Sequence, residues 1–264
     1  MMKNEAANKM WRDALTGGEP LLGRMHHVLG LIPSNPRCKI CHAPFQGFGA
    51  PLMRLIGKRR SKKNPHFCSV CETYASTNQG GAEIELTMLF VDVRGSTSLA
   101  EKMNATEFSQ LMNRFYEEAI NVLVQSDALI DKLVGDEVTA LFIPGFAGRD
   151  HAHHAVEAGH ALLHSMGYGQ PGGAWVPIGV GIHTGIAWVG SISGAASDSM
   201  DFTALGDNVN IAARLASKAG AGEVLISDAT CSAAKIDTKD LEKRELELKG
   251  KSELVSVRVL HANN

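Results

Sequence analysis

Long apolar runs are the first thing that this 264-residue sequence lacks. No stretch of 18 or more apolar residues occurs, so the sequence predicts no membrane-spanning helix. The N-terminal residues also lack the apolar core of a secretory signal, because charged side chains recur among them. With 44% hydrophobic and 20% charged residues, the composition is that of a globular protein, which we expect to find in the cytoplasm.

Net charge is also nearly absent overall, at a formal −2, but its distribution is uneven. Residues 1–80 carry 12 lysines and arginines against 4 acidic residues, and the remainder carries 14 against 24. A basic N-terminal part on an acidic remainder indicates contact between the two parts or an anionic partner. The basic run 58–63 has few aromatic residues nearby for base stacking. We therefore interpret the run as a solvated or docking loop and do not expect nucleic acid as a partner.

Cysteines are few, but four of the five fall into two Cys-x-x-Cys pairs. The four are Cys38, Cys41, Cys68 and Cys71, with 26 residues between the pairs. Outside an oxidising compartment this spacing predicts a metal site rather than disulfides. Four thiolates fit a tetrahedral Zn²⁺, which we favour, and could also hold an iron–sulfur cluster. The fifth, Cys231, is expected to be a buried apolar residue on a short helix.

The sequence divides into residues 1–79, a metal-binding module with helices, and residues 80–264, a larger domain. Residues 1–30 are typical of one or two short helices broken near Gly17 and Pro20. An irregular segment rich in glycine and proline follows as far as Cys71, and residues 76–81 are typical of a flexible linker.

Beyond residue 82 the periodicity is that of alternating strands and helices. In chain order, the expected elements are a strand over 85–93, a helix whose apolar residues recur from 108 to 123, a hairpin of strands 128–134 and 137–143, a helix over 149–166, strands over 176–183 and 185–191, a helix over 206–219, and strands over 223–226, 245–248 and 254–260. This order predicts an α+β fold of the ferredoxin-like (βαββαβ) type, an antiparallel sheet with helices on one face. Five histidines between 151 and 164 are interpreted as an exposed helix face.

Three segments carry candidate functional residues. Asp92 ends a buried strand, and Asp136 lies in a turn between two apolar runs. Either alone would be an ordinary cap or turn residue, but two carboxylates together can hold a pair of divalent cations for chemistry on nucleotide phosphates. In the third segment, residues 203–214, Asn210 and Arg214 share one helix face at i and i+4.

These three segments, together with His183-Thr184-Gly185 and the segment 248–251, resemble in this order the catalytic domain of the class III nucleotidyl cyclases. That family makes cyclic AMP or cyclic GMP from the triphosphate. The resemblance covers about residues 84–260 and implies the class III cyclase core. It also implies that Asp92 and Asp136, with the backbone carbonyl of Val93, bind two Mg²⁺ or Mn²⁺.

The resemblance assigns further roles on the substrate side. Asn210 would orient the ribose and Arg214 would stabilise charge at the α-phosphate. Lys249 would hold the terminal phosphates, with Lys251 as the alternative if the loop register differs.

Base selection is implied at two positions, Lys132 and Thr203. A lysine at the first is typical of the family's adenylate cyclases, whereas Thr203 stands where many of them have aspartate. Guanylate cyclases usually carry glutamate and cysteine there, so ATP is the predicted substrate and GTP the alternative. A threonine hydroxyl constrains the base less than aspartate would.

The family forms its site between two catalytic domains, and this sequence carries the complete residue set once. It therefore implies a homodimer with two identical sites. The predicted function is an adenylate cyclase that releases cyclic AMP and pyrophosphate and is regulated by the N-terminal metal module. The alternative is a nucleic-acid-binding metal module joined to an inactive cyclase-like dimerisation domain.

Overall fold

The computed structural model of the chain describes residues 2–18, 20–34, 36–61, 66–77, 80–193, 200–250 and 253–263. Its residues group into two compact units. The first unit comprises Met1–Ile84, Ile143–Arg149 and Ala187–Leu205. The second unit comprises Glu85–Phe142, Asp150–Ile186 and Gly206–Asn264.

Helices precede the sheet in the N-terminal part of the chain. They are α1 (Met2–Thr16), α2 (Pro20–Gly30), α3 (Gly49–Leu55) and α4 (Ser69–Thr77). The first two agree with the predicted helix pair. Helices α3 and α4 were not predicted, and α4 extends into the segment expected to be a linker, of which residues 78 and 79 lie outside the described residues.

An eight-stranded sheet with intervening helices forms the rest of the fold. The elements are β1 (Gly81–Val93), α5 (Ser96–Lys102), α6 (Ala105–Gln125), β2 (Leu129–Val134), β3 (Glu137–Phe142), α7 (Pro144–Ala147), α8 (His151–Ser165), β4 (Ile178–Ser193), β5 (Met200–Leu205), α9 (Asp207–Lys218), β6 (Glu223–Ser227), α10 (Asp228–Ala234), β7 (Glu242–Leu246) and β8 (Val255–Leu260). The strand order is β2-β3-β1-β4-β6-β8-β7, and β5 pairs with β4. The first four strands and helices α6 and α8 form the predicted βαββαβ core.

Local sequence explains the long helix α6. Asn104 accepts a hydrogen bond from the backbone N–H of Glu107, whose carboxylate accepts one from the backbone N–H of Asn104, so both ends of a capping box are present. The apolar residues repeat at helical spacing and bury one face, at Met112, Phe115, Ala119 and Leu123. The sequence prediction of this helix is confirmed.

Five features differ from the sequence prediction. The two strands expected around Gly185 are one continuous strand, β4, because this glycine makes room for a neighbouring side chain and does not form a turn. Strand β5 was not predicted, and β7 lies at Glu242–Leu246 rather than 245–248. The sheet is also mixed, since β6 runs parallel to β4. His151, expected on an exposed face, is buried.

No helix in the part of the chain that the structure describes is long and apolar enough to cross a membrane. Cys231 is buried on α10, as expected. The cytoplasmic location stays a prediction.

Candidate active site and candidate metal centre

The end of β1 and the β2–β3 turn bring the two aspartates together. Asp92 lies opposite Glu137 in the antiparallel β1–β3 pair. The backbone N–H of Val93 donates to the carbonyl oxygen of Asp136 at 3.1 Å. Gly135, with φ 64°, lets the chain turn at this point. The three predicted metal-binding residues are therefore neighbours at one end of the sheet.

The electrostatics of this end are those of crowded carboxylates. Burial raises the pKa of Asp92, the nearby charge of Asp136 raises it further, and the ion pair with Arg94 opposes both effects. Burial and the charges of Asp92 and Asp136 likewise raise the pKa of Glu137. Carboxylate oxygens are the donors that Mg²⁺ and Mn²⁺ prefer, and a bound cation would offset the repulsion among them. These residues therefore fit a divalent-cation site.

Two charged residues at this end were not predicted. Glu137 could have been found from its position directly after the Gly135-Asp136 turn, which sets it opposite Asp92. Arg94 pairs with Asp92 and also donates to the carbonyl oxygens of Ser217 and Ala219, at 3.0 and 3.4 Å. It thus joins the strand end to the C-terminal end of α9.

Helix α9 carries the predicted catalytic pair. Asn210 is exposed and Arg214 is partly buried. The Nη1 atom of Arg214 is buried and has no hydrogen-bond partner among the residues that the structure describes. A Cβ built on Gly250 would lie 3.6 Å from Nη2 of Arg214, so the β7–β8 loop passes directly beside this guanidinium. A guanidinium with such a nitrogen beside a loop is suited to an anionic ligand.

That loop borders a pocket of about 710 Å³. The pocket is lined by Lys218, Glu247, Leu248, Lys249, Gly250, Glu253 and Leu254. Lys249 and Arg214 thus lie in one region of the second unit, while Lys251 lies outside the described residues. Lys218 was not predicted, although its i+4 spacing from Arg214 would have indicated the same helix face.

The two predicted base-reading residues lie on different strands. Lys132 is exposed on β2, opposite Thr139. Thr203 is buried on β5, opposite Gly190 of β4, and belongs to the first unit. Its neighbour Phe202 packs against Trp11 of α1, with ring centroids 5.7 Å apart, and edge-on against Phe67 at 5.5 Å.

Apolar side chains near the metal end of the second unit are exposed. Leu133 and Val134 of β2, which lead into the turn at Asp136, are 46% and 61% exposed. Such side chains at the end of a sheet favour burial against another protein surface.

The four cysteines of the first unit form one cluster. All four are buried, and their ligand atoms lie within 4.8 Å of one another. The backbone N–H groups of Cys68 and Cys71 donate to Cys38 Sγ and Cys68 Sγ, at 3.2 and 3.5 Å. Lys58 Nζ donates to Cys41 Sγ at 3.3 Å. Donors aimed at sulfur stabilise thiolates, the form that binds a metal.

The spacing of the sulfurs bears on the kind of metal centre. In a tetrahedral site with Zn–S bonds of about 2.3 Å, sulfurs lie about 3.8 Å apart. Cys41 Sγ and Cys68 Sγ are 3.8 Å apart. A cluster places several irons and bridging sulfides between its thiolates, and so requires them to be farther apart. The geometry fits a single ion better.

Comparisons with known proteins agree with the fold. Residues 81–261 match the family described as the adenylate and guanylate cyclase catalytic domain. The adenylyl cyclase CyaB from P. aeruginosa has a similar structure, with a TM-score of 0.58, 32% identity, and coverage of 68% of this chain and 95% of that one. The guanylyl cyclase Cya2 gives a TM-score of 0.62 at 27% identity, with coverage of 68% and 93%.

Among curated relatives, an adenylate cyclase of Anabaena cylindrica is 30% identical over 183 residues, which is 65% of this chain and 36% of the relative. The chain spans 8% and 20% of the adenylate cyclases from Dictyostelium discoideum and Rhizobium meliloti that it also matches. The chain belongs to the adenylate and guanylate cyclase catalytic domain family.

Proposed function

We propose that this protein is an adenylate cyclase, which converts ATP to 3′,5′-cyclic AMP and pyrophosphate. The observation that carries the proposal is the pair of complementary half-sites. One is the carboxylate cluster around Asp92 and Asp136, which suits cations. The other is the guanidinium of Arg214 beside the Lys249 loop, which suits phosphate.

The reaction requires the ribose 3′ oxygen to attack the α-phosphorus while pyrophosphate leaves. Two Mg²⁺ or Mn²⁺ held by Asp92, Asp136 and the Val93 carbonyl would acidify the attacking hydroxyl and offset the charge of the triphosphate. Arg214 stabilises charge that develops on the phosphoryl oxygens, because its planar fork offers several fixed donors. Asn210 orients the ribose, and Lys249 binds the terminal phosphates.

Base selection is assigned to Lys132 and Thr203. The lysine donates to the purine ring, and the threonine hydroxyl accepts from the adenine amino group. Neither position carries the glutamate or cysteine expected for a guanine reader. ATP is therefore the proposed substrate, and a preference for GTP is an outcome that the assay below can reveal.

The active unit is proposed to be a homodimer. Each chain carries one cation half-site and one phosphate half-site, and a two-fold arrangement completes two identical sites. The exposed Leu133 and Val134 support this arrangement, since they offer apolar surface for a partner.

The N-terminal module, proposed to occupy residues 1–79, is assigned a single Zn²⁺ at its four cysteines and a regulatory role. The role is supported by Phe67, which directly precedes Cys68 and packs against Phe202, the neighbour of Thr203. A change at the metal centre could thus alter the strand that reads the base. An iron–sulfur cluster in place of zinc is the alternative for this site.

The test is incubation of the purified full chain with ATP, GTP, CTP or UTP, each with Mg²⁺ or Mn²⁺, followed by chromatographic detection of cyclic product. We expect cyclic AMP as the main product. Absence of every cyclic product with both cations would overturn the cyclase proposal, and a preference for GTP would overturn only the adenylate assignment.

A further inference from the structure

A chain of hydrogen bonds runs through the buried core of the second unit. Starting at the first turn of α9, it links Asn208, His183, Ser227, Thr230, Thr184, Thr87 and His151, with donor–acceptor distances between 2.8 and 3.1 Å. Six of these side chains, all except Asn208, are buried. A fully satisfied buried network of this kind fixes the geometry of the groups that it joins.

At the α9 end of this series of hydrogen bonds, the donor and the acceptor of each bond can be assigned. The side-chain amide of Asn208 donates through Nδ2 to the carbonyl oxygen of Ile186 at 2.7 Å, so its Oδ1 is the acceptor. His183 Nε2, 2.9 Å from that oxygen, therefore carries a hydrogen and donates it. In the neutral ring Nδ1 then accepts from the hydroxyl of Ser227 at 2.8 Å.

Asn208 also packs closely against the backbone of β4 at Gly185. A Cβ added to Gly185 would lie 2.6 Å from Cγ of Asn208, a separation that real structures do not tolerate. Asn208 therefore rests directly on the backbone of β4 at this glycine. The segment His183-Thr184-Gly185 supplies a donor, a hydroxyl of the buried chain and an open space, all within one strand.

We propose that His183 is a positioning residue for nucleotide cyclisation: its Nε2–H holds Asn208, and through it the first turn of α9, in the register that places Asn210 and Arg214. The inference rests on the proposed cyclase function. Asn210 follows Asn208 by two residues on the same helix, so a shift of Asn208 moves the ribose contact with it. A misplacement of about 1 Å can cost about 10²-fold in rate.

Two substitutions separate the hydrogen bond of His183 to Asn208 from its hydrogen bond to Ser227. The amide nitrogen of His183→Gln can take the place of Nε2 and keep the donor to Asn208. The shorter His183→Asn can replace only Nδ1 and loses that donor. We expect His183→Asn to lower kcat by about 10- to 100-fold with KM changed by less than about threefold, since the affected groups act mainly in the transition state. His183→Gln should retain kcat within about threefold.

Two further variants distinguish positioning from a general loss of stability. Thr87→Val removes a buried hydroxyl near the other end of the hydrogen-bonded series, next to His151, at nearly constant volume. It should lower the unfolding temperature without changing kcat. Asn208→Ala should lower kcat at least as much as His183→Asn, because it also removes the bond to Ile186. The double variant should show no loss beyond that of Asn208→Ala, since the contact between the two side chains is already absent. Additive losses, or equal kcat in His183→Gln and His183→Asn, would overturn the proposal.

A readout that does not depend on activity is hydrogen exchange in the peptide 206–219, measured on the full chain. His183→Asn should accelerate exchange there, whereas His183→Gln and Thr87→Val should not. If the wild-type chain forms no cyclic product, the cyclase proposal fails while exchange still decides whether His183 fixes α9. Equal exchange in all variants would show that it does not.

Discussion

At the scale of single residues, the cation site is a place where like charges are held together by the backbone. Strand pairing sets Asp92 opposite Glu137, and the Val93 N–H ties the turn at Asp136 to the same spot. Arg94 compensates for only part of this charge. Removal of one carboxylate should therefore leave the fold intact but abolish the reaction.

The first prediction is that Asp92→Asn or Asp136→Asn abolishes cyclisation while the unfolding temperature is kept or raised. Each change removes a ligand charge at nearly constant volume and also relieves repulsion. Cyclic product and thermal unfolding are the measurements, and Asp240→Asn, at an exposed loop position, is the matched control. More than about a tenth of wild-type activity, a barrier change below about 1.4 kcal/mol, would contradict the assignment.

A second prediction at this scale concerns the base. Changing Lys132 to glutamate and Thr203 to cysteine should weaken the use of ATP and raise the relative use of GTP, because the donor and acceptor pattern is inverted. The ratio of kcat/KM for the two nucleotides measures the effect. An unchanged ratio in a folded double variant would remove both residues from base recognition.

Whether a site residue can be predicted from the sequence depends on whether it acts alone or through a partner that is distant in the sequence. Asp92, Asp136, Asn210 and Arg214 could be proposed as site residues from the sequence, because each belongs to a short segment with a recognisable pattern. Glu137 and Lys218 were missed, although the turn before Glu137 and the helical spacing of Lys218 would have indicated them. Arg94 could not be found, because its importance depends on contacts with the end of α9. The prediction that His151 is exposed was wrong for the same reason, since its partner Thr87 lies 64 residues away.

At the scale of elements, α9 packs very closely on β4. A Cβ on Gly181 would lie 2.1 Å from the backbone nitrogen of Ala216 and 2.6 Å from the carbonyl oxygen of Ala212. The apolar side of the helix joins one core cluster, formed by Ile211, Leu215, Ala219, Leu225, Leu248, Val257 and Val259. The position of α9 is thus set by backbone contact as well as by side-chain packing.

The third prediction follows from this contact. Gly181→Ala should force the helix away from the strand, lower stability by roughly 1–3 kcal/mol, and reduce kcat, since Arg214 moves with the helix. Gly172→Ala is the matched control, because nothing lies within 4 Å of its added Cβ. Denaturant unfolding and kcat are the measurements. A Gly181→Ala chain as stable and active as the control would contradict the close contact.

Elements were predictable where periodicity was long and regular, as in β1, α6 and the β2–β3 hairpin. Short elements were harder. Helices α3 and α4 lie in a segment whose order comes from backbone bonds around the four cysteines, such as Glu72 N–H to Cys68 O at 2.9 Å. Strand β4 was divided at Gly185 because an isolated glycine resembles a turn until the side chain that rests on it is known.

At the scale of the whole molecule, the shared site can be tested by mixing inactive chains, which is the fourth prediction. Asp92→Ala and Arg214→Ala should each be inactive alone, and a mixture should recover activity, because one site of the mixed dimer has both wild-type halves. The cyclisation rate of the mixture is the measurement. Mixed dimers that form without any recovery would place a complete site within one chain.

The fifth prediction concerns the cysteine cluster. Cys41→Ser should release the metal ion and change cyclase activity, since Phe67 beside the cluster packs on Phe202, next to Thr203. Elemental analysis and cyclisation rate are the measurements. Cys231→Ser is the matched control, because this buried cysteine lies on α10 outside the cluster.

Three outcomes are decisive for the module. One zinc per wild-type chain would support the single-ion site. Iron together with inorganic sulfide would show an iron–sulfur cluster instead. Absence of both metals from freshly purified protein would contradict a metal centre. Unchanged activity after metal loss would leave the module a structural role. The predicted boundary after residue 79 remains a proposal, and the first unit includes residues from both sides of it.

The packing of Asn208 on Gly185 has a consequence for how this protein can evolve. Any side chain at position 185 would collide with that of residue 208, so the order in which the two positions mutate matters. A lineage must first shorten residue 208, and lose its two hydrogen bonds, before position 185 can accept a larger residue. Substitutions at the two sites should therefore be correlated among descendants, with the change at 208 coming first.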